Sequence, residues 1–159
     1  MAHVTHKLYP GKVKVFGLDT FEGMPETDIS VDAHKGGDFS DANFDELQKV
    51  VQDSGLPNIT FVKGLFEETA PELLKKNGPI ALAHIDCDIR SAVAYSYEVV
   101  KPYMLPGGYY VFDDATTPSC IGATEVVEEL VIRRDGLHSE QIYPHFVFRK
   151  SELAFGKSS

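Results

Sequence analysis

The residues best suited to chemistry in this sequence are aspartates that close three short apolar stretches. Asp19 follows the stretch Lys12 to Leu18, Asp86 and Asp88 follow Ile80 to Ile85, and Asp113 with Asp114 follows Tyr109 to Phe112. Carboxylates gathered from separate strands repel one another unless a cation or a proton lies between them. Oxygen-only donors favour a hard divalent ion such as Mg²⁺, Ca²⁺ or Mn²⁺, and the sequence shows no Cys or His set at metal-ligand spacing. On an extended segment Asp86 and Asp88 share one side, whereas Asp113 and Asp114 diverge unless the strand has already turned. For any one of these acids a cap or turn role is the commoner explanation. Two pairs at the ends of the two most hydrophobic stretches bring the functional reading level with it.

Asp19 has a separate candidate role. An acid at the end of an early strand in a nucleotide-binding sheet can accept hydrogen bonds from both ribose hydroxyls, although loop capping is the plainer account. His84 sits among aliphatic residues and reads as a hydrogen-bonded core histidine rather than a base or ligand. His138 and His145 flank a terminal hairpin and could reach the mouth of a site. Cys87 stands between two acids, which raise its pKa and argue against a nucleophilic thiolate.

The elements that must position these residues alternate in type. Lys12 to Leu18 reads as a strand, and the polar stretch 24–41 as a loop, either a lid or plain surface. Ser40 or Asp41 is placed to cap a helix that carries Phe44, Leu47, Val50 and Val51 on one face, with Gly55 ending it. Asn58 to Val62 reads as a second strand. Thr69 and Glu72 have capping-box spacing for a helix that runs to Asn77, with Pro71 in its first turn. After the strand Ile80 to Ile85, a helix from Ser91 to Val100 is ended by Pro102 and the Pro106-Gly107-Gly108 turn. Tyr109 to Phe112 is a fourth strand. A helix from Gly122 to Arg134 follows, with Val126, Val127, Leu130 and Val131 as its buried face. Gln141 to Tyr143 and Phe146 to Arg149 form a terminal hairpin around Pro144. This order implies crossover connections and a largely parallel sheet covered on both faces, with the strands at 80–85 and 109–112 central.

With 159 residues, 43% of them hydrophobic, the chain is expected to form one domain, 1–159. It has neither an apolar run of membrane-spanning length nor the regions of a secretory signal, which implies a soluble protein without a membrane partner. Two cysteines without close spacing fit a reducing cytoplasm. A formal net charge of −9 without a cluster of Lys and Arg excludes nucleic acid as a partner.

Four linked motifs extend the reading: FGLDTFEGMPE (16–26), VKGLFEETAPELL (62–74), IALAHIDCDIRS (80–91) and LPGGYYVFDD (105–114). In order and spacing they resemble the macrocin O-methyltransferase family, whose members methylate sugar hydroxyls of natural products with S-adenosylmethionine and Mg²⁺. The resemblance implies a Rossmann-like methyltransferase fold and a small-molecule hydroxyl acceptor. It implies that Asp86, Asp113 and Asp114 hold the metal and that Asp88 is the general base. Asp19 would bind the cofactor ribose, with Thr20, Gly64 and Asp86 also at the cofactor. The family's first strand and Gly-rich turn are not found ahead of Val13. That strand is therefore expected to be missing or replaced, with 1–12 as an amino-terminal extension. The strand edges at Lys12 and Ile80 must then pair directly, recruit residues 1–10, or meet another chain, which points to a homo-oligomer. Arg90 stands where the family has Tyr, and Ala115 and Thr116 where it has an aromatic residue, so the acceptor need not be a macrolide sugar. Two alternatives remain: a truncated, inactive methyltransferase-like core and, fitting less well, a Mg²⁺-dependent phosphohydrolase suggested by the Asp-x-Asp motif.

Overall fold

Parallel pairing supplies the frame, but in two pieces. In the computed structural model, which describes residues 1–151, β1 (Val15–Asp19) pairs with β2 (Ile59–Lys63) in parallel, from Val15↔Ile59 to Asp19↔Lys63. Positions 152–159 of the expected domain lie outside the described residues. A second sheet has the order β3-β4-β6-β5, built from β3 (Ile80–Ile85), β4 (Met104–Phe112), β5 (Ser139–Gln141) and β6 (Phe146–Arg149). β3 and β4 are parallel, while β6 pairs antiparallel with β4 and with β5, as the terminal hairpin requires. Among the described residues no strand joins β1 to β3, and none takes the place of the family's first strand. Residues near the amino terminus form a helix instead, α1 (Ala2–Leu8). The buried Asn58 ties it down by donating to the Ala2 carbonyl at 3.1 Å and to the Thr5 hydroxyl at 3.0 Å.

Local chemistry explains where the helices begin. α2 (Phe44–Ser54) is capped by Asn43, whose side chain accepts from the Asp45 and Glu46 amides at 3.0 and 3.2 Å. Ser40 and Asp41 are therefore not the cap, because they still lie in a turn and the helix begins only after Asn43; Gly55 ends the helix with φ 65°. α3 (Phe66–Asn77) starts ahead of the expected capping box. Thr69 lies inside it and donates its hydroxyl to the Leu65 carbonyl at 2.8 Å, which places Pro71 in the helix interior. α4 (Arg90–Val100) matches its expected span closely. α5 runs over Ile121–Val126 and continues in wider π-helical turns over Val127–Arg134. Pro106-Gly107-Gly108, expected as a turn, lies within β4, at the irregularity in its register with β3.

The core sits beneath one face of the second sheet. Ile85, Tyr110, Phe112 and Phe148 point from the strands towards Val93 and Tyr97 of α4 and Val126, Val127 and Val131 of α5, and all are buried. Tyr97 meets Tyr110 edge-on at 5.2 Å, and its hydroxyl donates to Asp135 at 2.7 Å, where Lys101 also pairs. The expectation of a sheet covered on both faces fails here. β3 leaves Ala81, Leu82 and His84 exposed, and on α2 Val50 is exposed as well. Among the described residues no helix is long and apolar enough to cross a membrane.

Phe148 is fully buried and packs edge-on against Phe112 with ring centroids 5.9 Å apart. Phe148→Ala should cost about 3–5 kcal/mol in urea unfolding, as large cavities in a sheet core do. Val50→Ala, at an exposed position, should stay within about 0.5 kcal/mol of the parent.

Candidate metal and cofactor site

The register of β3 and β4 decides where the acids meet. Ile85 pairs with Phe112, and the Asp113 amide donates to the Ile85 carbonyl at 3.0 Å, so both strands end at one level. Asp113 then takes a helical backbone conformation, φ −70° and ψ −53°, and the chain enters a 3₁₀ turn, Asp114–Thr116. That turn removes the divergence expected of neighbouring strand residues and swings Asp114 towards β3. Its Oδ2 accepts from the Asp88 amide at 3.1 Å. Asp88 has φ 56°, a left-handed conformation that bends the chain sharply between β3 and α4.

Asp86, Asp88, Asp113 and Asp114 thus lie close enough for their charges to act on one another. Burial pushes the Asp114 carboxyl up to about 6, reinforced by the charges of Asp88, Asp86 and Asp113 and opposed by the Asp88 amide. Asp86 is also raised, by burial first and then by Asp113. Such crowding fits a hard cation, because a bound positive charge relieves both penalties. Asp86 and Asp113, with His84, bring one donor atom each within 4.8 Å of one another. Asp114 stands beside them, close enough for its charge and that of Asp86 to act on each other.

His84 corrects the sequence reading. Its side chain is 41% exposed, not part of the core, because it projects from the open face of β3, and Nε2 lies 3.1 Å from Asp113 Oδ1. His145 reaches the same oxygen through Nδ1 at 2.9 Å. Sequence reasoning left His145 unplaced and missed His34 and Cys120 altogether. His34 comes from the 24–41 loop and Cys120 from the start of α5, and both face Asp88. Burial drives the Cys87 thiol far above its usual range, which agrees with its exclusion as a nucleophile.

The residues assigned to the cofactor lie at the other sheet. Asp19 ends β1; its Oδ1 accepts from the Phe21 amide at 2.6 Å and its carbonyl accepts from the Gly64 amide at 2.9 Å. Thr20 donates its hydroxyl to the Gly23 carbonyl at 2.7 Å. Gly64 has φ 140°, and a Cβ there would stand 2.9 Å from the Thr69 methyl group. Thr20 and Gly64 line a groove of about 530 Å³ together with Gly23, Pro25 and Glu68. Its size and polar rim suit a nucleoside. Asp19 itself does not line the groove; it stands one residue before Thr20, at the end of β1. Asp86, expected at both metal and cofactor, is not in the groove lining and belongs with the acids.

Residues 5–115 match the family model described as a methyltransferase domain. Over 116 residues the chain is 25% identical to a curated relative from Streptomyces olivaceus, 8-demethyl-8-(2,3-dimethoxy-alpha-L-rhamnosyl)-tetracenomycin-C 4'-O-methyltransferase, covering 67% of this chain and 44% of the relative. The crystal structure of a calicheamicin methyltransferase superposes on 93% of this chain and 65% of its own, with a TM-score of 0.79 and 22% identity. The structure of the O-methyltransferase NovP covers 95% of this chain and 65% of its own, with a TM-score of 0.76 and 18% identity. The chain therefore spans less than half of the curated relative and about two thirds of these structures, and shares their α/β methyltransferase fold. By the match over most of its length, the chain belongs to the methyltransferase domain family.

Proposed function

We propose that this chain is a single methyltransferase-like domain that transfers a methyl group from S-adenosylmethionine to a hydroxyl of a small molecule, a sugar being the favoured class, with Mg²⁺ or another hard divalent cation. The observation that carries the proposal is the convergence of four carboxylates, two of them raised in pKa, at the shared end of β3 and β4. The curated relative is named for O-methylation of a compound bearing a rhamnosyl group, which supports a sugar hydroxyl as acceptor.

The roles follow from chemistry. S-adenosylmethionine supplies an electrophilic methyl group, and a divalent cation supplies a field that favours the deprotonated acceptor. Asp19, Thr20 and Gly64 bind and orient the nucleoside. Asp86, Asp113 and Asp114 hold the cation. His84 and His145 fix Asp113 through its Oδ1, as outer partners of ligands commonly do. Asp88 takes the acceptor proton, and its amide bond to Asp114 keeps base and ligand set in register.

A second reading, an inactive core, is favoured by one observation: the β1–β2 pair and the β3–β4–β6–β5 sheet are not joined among the described residues. The same open edges support self-association of the chain. Sedimentation velocity should therefore show a dimer or larger species; a monomer at every concentration contradicts that part.

Calorimetry with S-adenosylhomocysteine should give about one site per chain, with tighter binding when Mg²⁺ is present. Absence of heat at high ligand concentration selects the inactive core. Asp88→Asn should lower kcat by about 10²–10⁴-fold. Asp86→Ala should abolish metal-dependent turnover while leaving the far-ultraviolet circular dichroism intact; an unfolded variant assigns Asp86 a purely structural role.

The buried Asp114 also predicts a pH dependence. Its folded value, about 6, lies above the ordinary 3.8, so the protonated form contributes stability that is complete below about pH 4 and lost as the pH rises through 6. Asp114→Asn removes that loss. In metal-free buffer at pH 8 the variant should be more stable than the parent by on the order of 2 kcal/mol, and the gain should vanish near pH 4. An equal difference at both pH values refutes the assignment.

A further inference from the structure

A second set of donors adjoins the oxygen cluster and shares Asp88 with it. His34 Nε2, Asp88 Oδ1 and Cys120 Sγ come from three separate segments, and their mutual distances are 3.9 Å (His34 to Asp88), 3.5 Å (Cys120 to Asp88) and 3.7 Å (Cys120 to His34). Ordinary zinc bond lengths place the donors of a tetrahedral site about 3.4–3.6 Å apart. The triangle is therefore already near the size of one face of such a site. His34 and Asp88 side chains are 20% and 23% exposed, which leaves a path for an ion, while Cys120 is buried at 1%. The other ring nitrogen of His34, Nδ1, faces Asp38 Oδ2 at 3.8 Å, beyond hydrogen-bond distance but on the side away from Cys120 and Asp88. Phe39 packs against the His34 ring with centroids 5.3 Å apart and restricts its orientation.

We propose that His34, Asp88 and Cys120 form a binding site for a borderline-soft transition-metal ion of the Zn²⁺ class, distinct from the hard-cation cluster of Asp86, Asp113 and Asp114. Donor chemistry separates the two: sulfur and nitrogen select Zn²⁺ or Co²⁺, and oxygen alone selects Mg²⁺. Binding forms one metal–sulfur, one metal–nitrogen and one metal–oxygen bond and releases the Cys120 thiol proton to solvent. An ion there fastens the 24–41 loop, through His34, to the end of β3 and the start of α5. It also occupies the Asp88 carboxylate, and so blocks proton removal; this consequence alone rests on the function proposed above.

The test uses the whole chain in excess Mg²⁺, titrated with Co²⁺ and followed by absorption, so it reads binding whether or not the chain turns over. One equivalent should produce the intense visible bands of tetrahedral Co²⁺ together with a near-ultraviolet thiolate-to-cobalt charge-transfer band, and one equivalent of Zn²⁺ should erase both. Cys120→Ser should lose the charge-transfer band, and Cys87→Ser should keep it. His34→Gln, a loop change that leaves Cys120 in place, should weaken Co²⁺ by more than about tenfold, the loss that even an outer-shell partner can cause. A weak octahedral spectrum without the charge-transfer band overturns the site, as does a band that survives Cys120→Ser or His34→Gln with undiminished affinity.

Discussion

The level ending of two parallel strands governs the rest of this structure. Because Ile85 stands beside Phe112, the residues after each strand emerge together, and the acids there have nowhere to separate. The core beneath them holds that register rigidly: Ile85, Tyr110 and Phe112 are locked under α4 and α5. Like charges in such a place cost free energy, and the chain meets the cost only in part. The Asp88 amide supports Asp114, and His84 and His145 both face Asp113, but Asp114 and Asp86 remain shifted towards their protonated forms. That residual conflict is what makes a bound cation the natural completion of the site.

The groove proposed for the cofactor and the acid cluster belong to different sheets, and the polar stretch between β1 and α2 reaches both. Thr20 and the segment from Glu22 to Pro25 line the groove, while His34 further along reaches Asp88. A single loop therefore senses both halves of the proposed reaction. Its conformation is set by short-range bonds such as Thr27 to the His34 carbonyl at 2.9 Å and Asp32 to the Arg90 amide at 2.9 Å, which anchor it without any helix or strand.

Much of this was legible in the sequence for identifiable reasons. β3 matched its expected bounds because an apolar run stands between Pro79 and Asp86, and the strand-end acids follow from that strand and β4. The buried face of α5 was legible from its spacing: Val126, Val127 and Val131 are all buried. What failed was non-local. His84 read as a core residue because its neighbours are aliphatic, yet its exposure depends on what covers the far face of β3, which no local pattern encodes. The cap of α2 was ambiguous among several polar residues, and only backbone geometry singles out Asn43. His34 and Cys120 lie 86 positions apart, so no spacing rule could join them. That the described strands would lack the family's first strand followed from the resemblance, which has no counterpart to it ahead of Val13, but not that residues 2–8 would be helical, held by Asn58.

The most direct measurement of the central claim is nuclear magnetic resonance of the labelled chain with substoichiometric Mn²⁺ in place of Mg²⁺. If one hard cation is shared by the strand-end acids, paramagnetic broadening should appear first at the amides of Cys87, Asp88, Asp114 and Ala115 and fade with distance from them. Broadening spread evenly over the acidic surface, or centred on acids such as Asp41 and Asp45, would contradict the account.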